Sequence, residues 1–294
     1  MLNIKEVVNR INSIASTQQI TKAMKMVAAA RLNKVQQQVF QMRPYAEKLA
    51  TILENVTDST DQQLAQHYLE ERTVKKILLV VMTSDKGLCG SFNVKVLKKT
   101  ISYIQVSACG LAPTQITVLP IGKKALSFFE KKEFNLLQDH VALSHLLDFD
   151  RVSLVANSLI NAFLQHTYDR VVLVYNAFQS AATQVPVVEQ FLPIVRPATH
   201  LASQGGHVDY IYEPSRAVLM ETLVPHVLQI QFYKAQLESN ASEHGARMTT
   251  MSKATDNAGE LLKILQLTYN RTRQAAITRE ISEIVAGAEA LAAT

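Results

Sequence analysis

The chain lacks tryptophan, has two cysteines (Cys89 and Cys109) in 294 residues, and offers few of the residue clusters that enzymes use. The cysteines form no C-x-x-C pair and no even framework, which suits a reducing compartment and argues against a structural disulfide. No run of about 18 uncharged apolar residues occurs, which excludes a helix that crosses a membrane. Met1–Arg10 lacks the apolar core of a signal peptide, so the chain is expected to begin its life in the cytosol. The eight histidines are scattered, and the closest pair, His140 and His145, does not have the i, i+4 spacing of a helical metal motif. There is no G-x-S-x-G and no paired carboxylate in an apolar setting; Glu280 and Glu283 sit beside Arg279, where pairing along a helix is the ordinary explanation. No catalysis, cofactor or metal is expected from these residues.

What the sequence does have is helix periodicity at both ends. From Leu32 the apolar positions run Leu32, Val35, Val39, Met42, Ala46, Leu49, Leu53 and Val56, in the alternating steps of three and four that mark a coiled-coil seam. Traced backward, Ala28, Ile14, Ile11, Val7 and Ile4 keep that register, but Lys25, Thr21 and Gln18 interrupt it. Over the interruption the apolar residues are Ile20, Met24 and Val27, so a different helix face is expected to carry contacts there. A second run from about Ser215 to Ala286 places Val227, Ile230, Leu237, Ala241, Met248, Met251, Ala258, Leu262, Leu265, Tyr269 and Ala276 in one loose register, interrupted by Lys234, His244, Thr255 and Thr272. At about 1.5 Å per residue such helices exceed an ordinary domain, so they are expected to pair with each other as a shaft. Pro44 and Pro225 lie inside them, where bends are expected.

Between the helices the pattern changes. Lys75–Met82 is a short apolar, β-branched run that reads as a strand buried on both faces. Helical patterns at Asn93–Val106, Lys123–Lys131 and Arg151–His166 alternate with strand patterns at Gln115–Pro120 and Arg170–Ala177, which predicts a mostly parallel sheet with crossover helices. Gln184–Leu192 reads as a further strand, which Pro186 confines to an edge or a strand end. The expected architecture is α/β: an N-terminal coiled-coil helix at 1–57, a central Rossmann-like domain at 74–206, and a C-terminal coiled-coil helix at 207–294.

Charge is concentrated rather than spread. Residues 1–50 hold eight Lys or Arg against Glu6 and Glu47, a net +6 that exceeds the +5 of the whole chain. Such a helix meets nucleic acid, an anionic membrane or acidic loops of a protein, or is a solvated face. The absence of aromatics among the basic residues argues against stacking on single-stranded nucleic acid. The loop Thr83–Ser91, TSDKGLCGS, follows the first strand, where open α/β sheets bind ligands. It matches neither G-x-x-x-x-G-K-[ST] nor G-x-G-x-x-G. Two further readings stay open at this point: a nucleotide-binding α/β enzyme with a coiled-coil dimerisation arm, and a basic coiled-coil nucleic-acid binder.

The run Ile277–Ala288, ITREISEIVAGA, resembles the signature of the gamma subunit of F-type ATP synthases. Similar matches are Thr17–Ala29 (TQQITKAMKMVAA), Arg43-Pro44-Tyr45, Ser84–Gly90 (SDKGLCG) and Ala254–Ala258 (ATDNA), so the resemblance spans essentially the whole chain. It implies a central rotor without bond chemistry of its own, with an antiparallel coiled coil inside a hexamer of alpha and beta subunits and an α/β foot near the membrane ring. By resemblance, Met24, Lys25, Arg247, Arg273, Gln274 and Thr278 would contact the catalytic ring, with Glu283 near the upper bearing. The segment Asp209–Pro214, with Asp209, Tyr210, Tyr212 and Glu213, would meet the ring of c subunits and the epsilon subunit. The absence of the cysteine-bearing insert of chloroplast relatives and of a transit peptide implies a bacterial protein, peripheral on the cytoplasmic face of the cell membrane, with no nucleic-acid partner.

Overall fold

The computed structural model describes residues 4–57, 67–70, 72–107, 111–145, 147–194 and 216–292. Residues 58–66 and 195–215, among them Asp209, Tyr210, Tyr212 and Glu213, lie outside them, as does Cys109. Two helices dominate: α1, Ile4–Thr57, and the last helix, Arg216–Ala292, each continuous through its proline. The chain divides into two compact units, Met1–Ala28 with Met248–Thr294, and Ala29–Arg247.

The larger unit holds a five-stranded sheet. Its strands are β1 (Ile77–Met82), β2 (Ile116–Ile121), β3 (Asn135–Leu136), β4 (Arg170–Phe178) and β5 (Gln184–Leu192), in the spatial order β3-β2-β1-β4-β5. All pairings are parallel except β4 with β5, which is antiparallel. The mostly parallel α/β architecture expected from the alternating pattern is therefore present. Pro186 sits on β5, an outer position in the strand order, where a missing N–H breaks no central ladder. The two-residue β3 had no sequence signal because it is too short to show a period.

Every residue of β1 is buried, and the strand's alternation sorts them into two cores. Leu78, Val80 and Met82 pack with α4 (Phe149–Leu164) and with Val224, Leu228, Phe232 and Ala235 of the last helix. Ile77, Leu79 and Val81 pack with α2 (Phe92–Ser107) and α3 (Lys123–Phe129) through Val96, Ala125 and Phe129. Helix α4 forms because Val152, Val155, Ala156, Leu159, Ile160 and Phe163 recur at helical spacing and bury one face. We number the last helix, Arg216–Ala292, α5. The β2–α3 turn needs Gly122: its φ is +99°, and a Cβ there would run into the Thr83 carbonyl.

Within this unit α1 buries Leu32, Val35, Val39 and Leu49, with Met42 and Ala46 half-buried, as the heptad register requires. On α5 every residue from Ala235 to Ala246 is buried, although seven of them are polar. Gly245 permits this closeness: a Cβ there would stand 3.2 Å from the Ala181 backbone.

The smaller unit is a helix pair. Val7 and Ala28 of α1 and Met251 and Ala258 of α5 are buried along the seam, with Ile4, Ile11, Ile14, Leu262, Leu265, Tyr269, Thr272 and Ala276 half-buried. Residue 18 meets 255 and residue 25 meets 252, so the helices run antiparallel.

Candidate partner-binding surfaces

The interrupted stretch of the seam is the first place where structure changes the sequence reading. Gln18, Thr21 and Lys25 do not turn away from α5. Gln18 Nε2 donates to the Thr255 carbonyl at 3.4 Å, Thr255 Oγ1 donates to Thr21 Oγ1 at 2.9 Å, and Lys25 Nζ donates to Ser252 Oγ at 2.9 Å. Gly259 makes room for the Gln18 amide, which lies 3.0 Å from where a Cβ would be. The seam is thus continuous and becomes a polar layer, a device that specifies register at some cost in stability. The offset apolar face exists in addition to it: Ile20 and Val27 are 60% and 55% exposed, while Met24 is half-buried.

Beyond the last paired positions α5 continues alone among the described residues. All residues from Ile277 to Ala288 are exposed, and Ile277, Ile281, Ile284 and Val285 recur at i, i+4, i+7 and i+8 as one apolar stripe. Arg273, Gln274, Thr278 and Glu283 lie on this same stretch and are exposed. The Arg273 guanidinium stands 5.9 Å from the Tyr269 ring centre, and Glu283 pairs with Arg279 at 2.8 Å in full view of solvent. Surface pairs of this kind contribute about 0–1 kcal/mol, so these side chains are available to a partner at little cost.

Arg247 is placed differently. Its side chain is 12% exposed, and its guanidinium pairs with Glu243 at 2.7 Å and donates to the Lys86 carbonyl at 3.2 Å. It therefore holds the Ser84–Gly90 loop against α5, where Cys89 and Phe92 pack on Ala246. The loop's own polar groups are engaged internally. Ser84 N–H donates to Asn93 Oδ1, Ser84 Oγ donates to the Lys86 carbonyl, and Asp85 Oδ1 accepts from the Lys123 N–H at the start of α3. A phosphate at that helix start would meet a carboxylate. Cys89 is 1% exposed, which removes it as a nucleophile. No group of three metal-ligating side chains occurs among the described residues, and none of their helices is long and apolar enough to cross a membrane.

Two buried polar clusters had no sequence signal, since their members are far apart in the chain. Arg43 bonds Glu238 and the Phe178 carbonyl. Glu189 accepts from the Tyr175 hydroxyl at 2.6 Å and from Gln231 at 2.7 Å. Burial, followed by the negative charge of Glu189, holds the Tyr175 phenol well above its ordinary range near 10, with Glu238 adding to the rise and Arg43 opposing it. The neutral phenol is the folded form, so this stabilisation is complete below about pH 10 and is lost as unfolded chains ionise above it. Melting curves across pH 9–11 are expected to fall less steeply for Tyr175→Phe, by up to about 1.4 kcal/mol per pH unit. Equal slopes would show that the phenol does not carry the alkaline sensitivity.

Comparison with known proteins fits this arrangement. The sequence model of the ATP synthase family matches residues 3–291. The ATP synthase gamma chain of Amoebophilus asiaticus (strain 5a2) is 61% identical over 99% of both chains. The fold is shared with a chain of the mitochondrial ATP synthase rotor of Euglena gracilis (TM-score 0.61, 20% identity, 93% of this chain and 98% of that one). It is shared also with a chain of the Euglena gracilis OSCP/F1/c-ring structure (TM-score 0.65, 21% identity, 98% and 94%). Ser84–Gly90, the polar seam layer and the exposed end of α5 are thus features of a chain that belongs to the family of ATP synthase gamma chains.

Proposed function

We propose that this gamma chain is the rotating shaft of a proton-translocating F-type ATP synthase and performs no bond chemistry itself. The observation that carries the reading is the antiparallel helix pair whose longer member ends in an exposed apolar stripe, Ile277 to Val285. Such a stripe needs a sleeve, and a hexamer of alpha and beta subunits supplies one. Met24, Lys25, Arg273, Gln274 and Thr278 contact that ring, Glu283 lies near its upper bearing, and Arg247 contributes by fixing the Lys86 loop. The +6 charge of residues 1–50 faces acidic beta-subunit loops. Asp209, Tyr210, Tyr212 and Glu213 meet the c-subunit ring and the epsilon subunit. The working division is a helix at 1–57, a foot at 74–206 and a helix at 207–294, held peripherally on the cytoplasmic face of a bacterial membrane.

Coupling follows from differential contact. A shaft that presents a different side to each beta subunit shifts that site's conformational equilibrium only by the difference in contact free energy between orientations. Reversing an equilibrium from 1:99 to 99:1 takes about 5.5 kcal/mol. One exposed pair supplies about 1 kcal/mol or less, so the contact must be a surface rather than one side chain. Single substitutions such as Gln274→Ala are accordingly expected to weaken coupling without abolishing it. The reading is tested by assembling cognate alpha and beta subunits, the membrane sector and this chain in vesicles. ATP-driven proton pumping should require the chain, whereas undiminished pumping without it would sink the proposal.

A further inference from the structure

Arg43 reaches two other elements at once. From α1, its Nε and Nη2 donate to Glu238 Oε1 on α5 at 3.3 and 3.2 Å, and Nη2 also donates to the Phe178 carbonyl, the last residue of β4, at 2.8 Å. Glu238 is 5% exposed, so water does little for its charge and the guanidinium does most. Nearby, Glu189 of β5 joins Tyr175 of β4 to Gln231 of α5. Helix α5 is further bonded to the sheet domain through Gln229 to Asn157, Gln236 to the Leu143 carbonyl and Arg247 to the Lys86 carbonyl. The sheet therefore grips α5 at several heights. Helix α1 packs along its apolar seam, puts Ile52 against the sheet-side core and sets Tyr45 beside His226 of α5; Arg43 adds one side chain bonded to α5 and to a strand end at once.

We propose that Arg43 is a positioning residue that makes the sheet domain turn both long helices together. The inference rests on the rotor reading. A turning force on the sheet reaches α5 directly, and the Arg43 fork stiffens its transfer to α1 beyond what the apolar seam alone resists. The planar guanidinium does this because its fixed fork holds a carboxylate and a strand-end carbonyl in one geometry. A lysine carries the same charge on a flexible stem and cannot reproduce the fork. Arg43→Lys thus separates charge from rigidity. Arg43→Met with Glu238→Gln removes both charges, so that no buried carboxylate is left unpaired.

The test uses the assembled enzyme, with the hexamer fixed, hydrolysis stalled and a bead on the sheet domain through Lys99→Cys, an exposed site on α2. The angular variance of the bead reports the stiffness of the path from sheet to hexamer. Both variants are expected to assemble and to hydrolyse ATP at the parent's unloaded rate, with a variance about twofold larger because a tie between elements is gone. A variance equal to the parent's in either variant overturns the inference. A parent chain that does not rotate when ATP is supplied would instead refute the rotor reading, so the two failures are distinguishable.

Discussion

Phe232→Ala is expected to destabilise the larger unit by about 3–5 kcal/mol, the range for removing a fully buried aromatic ring. Phe232 is 0% exposed and meets Phe191 edge to face, with ring centres 5.9 Å apart. It lies in the core between α5 and the sheet, among Leu78, Val80 and Met82 of β1 and Leu228 and Ala235 of its own helix. The cavity cannot close easily, because α5 is tied to the sheet domain on either side of it through Gln229, Gln231 and Gln236. At about 2–4 °C per kcal/mol for a domain of this size, the midpoint should fall by on the order of 10 °C. A fall of only a degree or two would mean that α5 is not held by this core.

A cross-link between Thr21→Cys and Thr255→Cys is expected to form on oxidation and to leave rotation intact. The two hydroxyl oxygens stand 2.9 Å apart, so the sulfur atoms that replace them start within reach of each other. The residues are 234 apart in the chain, so closing this loop restricts the unfolded state strongly and should add about 2–4 kcal/mol. The functional outcome carries the mechanical content. If the polar layer fixes the register of the helix pair, the oxidised chain should pump protons as the reduced one does. Loss of pumping that a reductant restores would show that α1 and α5 slide past one another during the cycle.

Much of this was legible in the sequence because it depends on period. The seam residues from Leu32 to Leu49, and those from Ile230 to Ala276, are buried or half-buried as their spacing requires, since a heptad pattern is the imprint of one partner helix. Strand β1 and the edge position of Pro186 were legible for similar reasons of burial and hydrogen bonding. In the sequence the polar layer shows only as an interruption of the seam, because polarity alone does not reveal a partner. Gln18 and Thr255 satisfy each other across the seam, and neither residue points to the other in sequence. The resemblance makes Arg247 a ring contact, and in the structure Glu243 one turn before it and a loop carbonyl far from it take up its guanidinium. The Arg43–Glu238 pair was invisible for the same reason: it joins residues brought together only by the fold.

As the rotor proposed above, this chain would turn inside a ring of alpha and beta subunits. The direct measurement fixes the assembled hexamer to a surface, attaches a bead to the sheet domain and supplies ATP. Continuous rotation in one direction is expected, in steps set by the threefold repeat of beta subunits and slowed as the ATP concentration falls. Full ATP hydrolysis with a stationary bead, the chain being present in the complex, would contradict it.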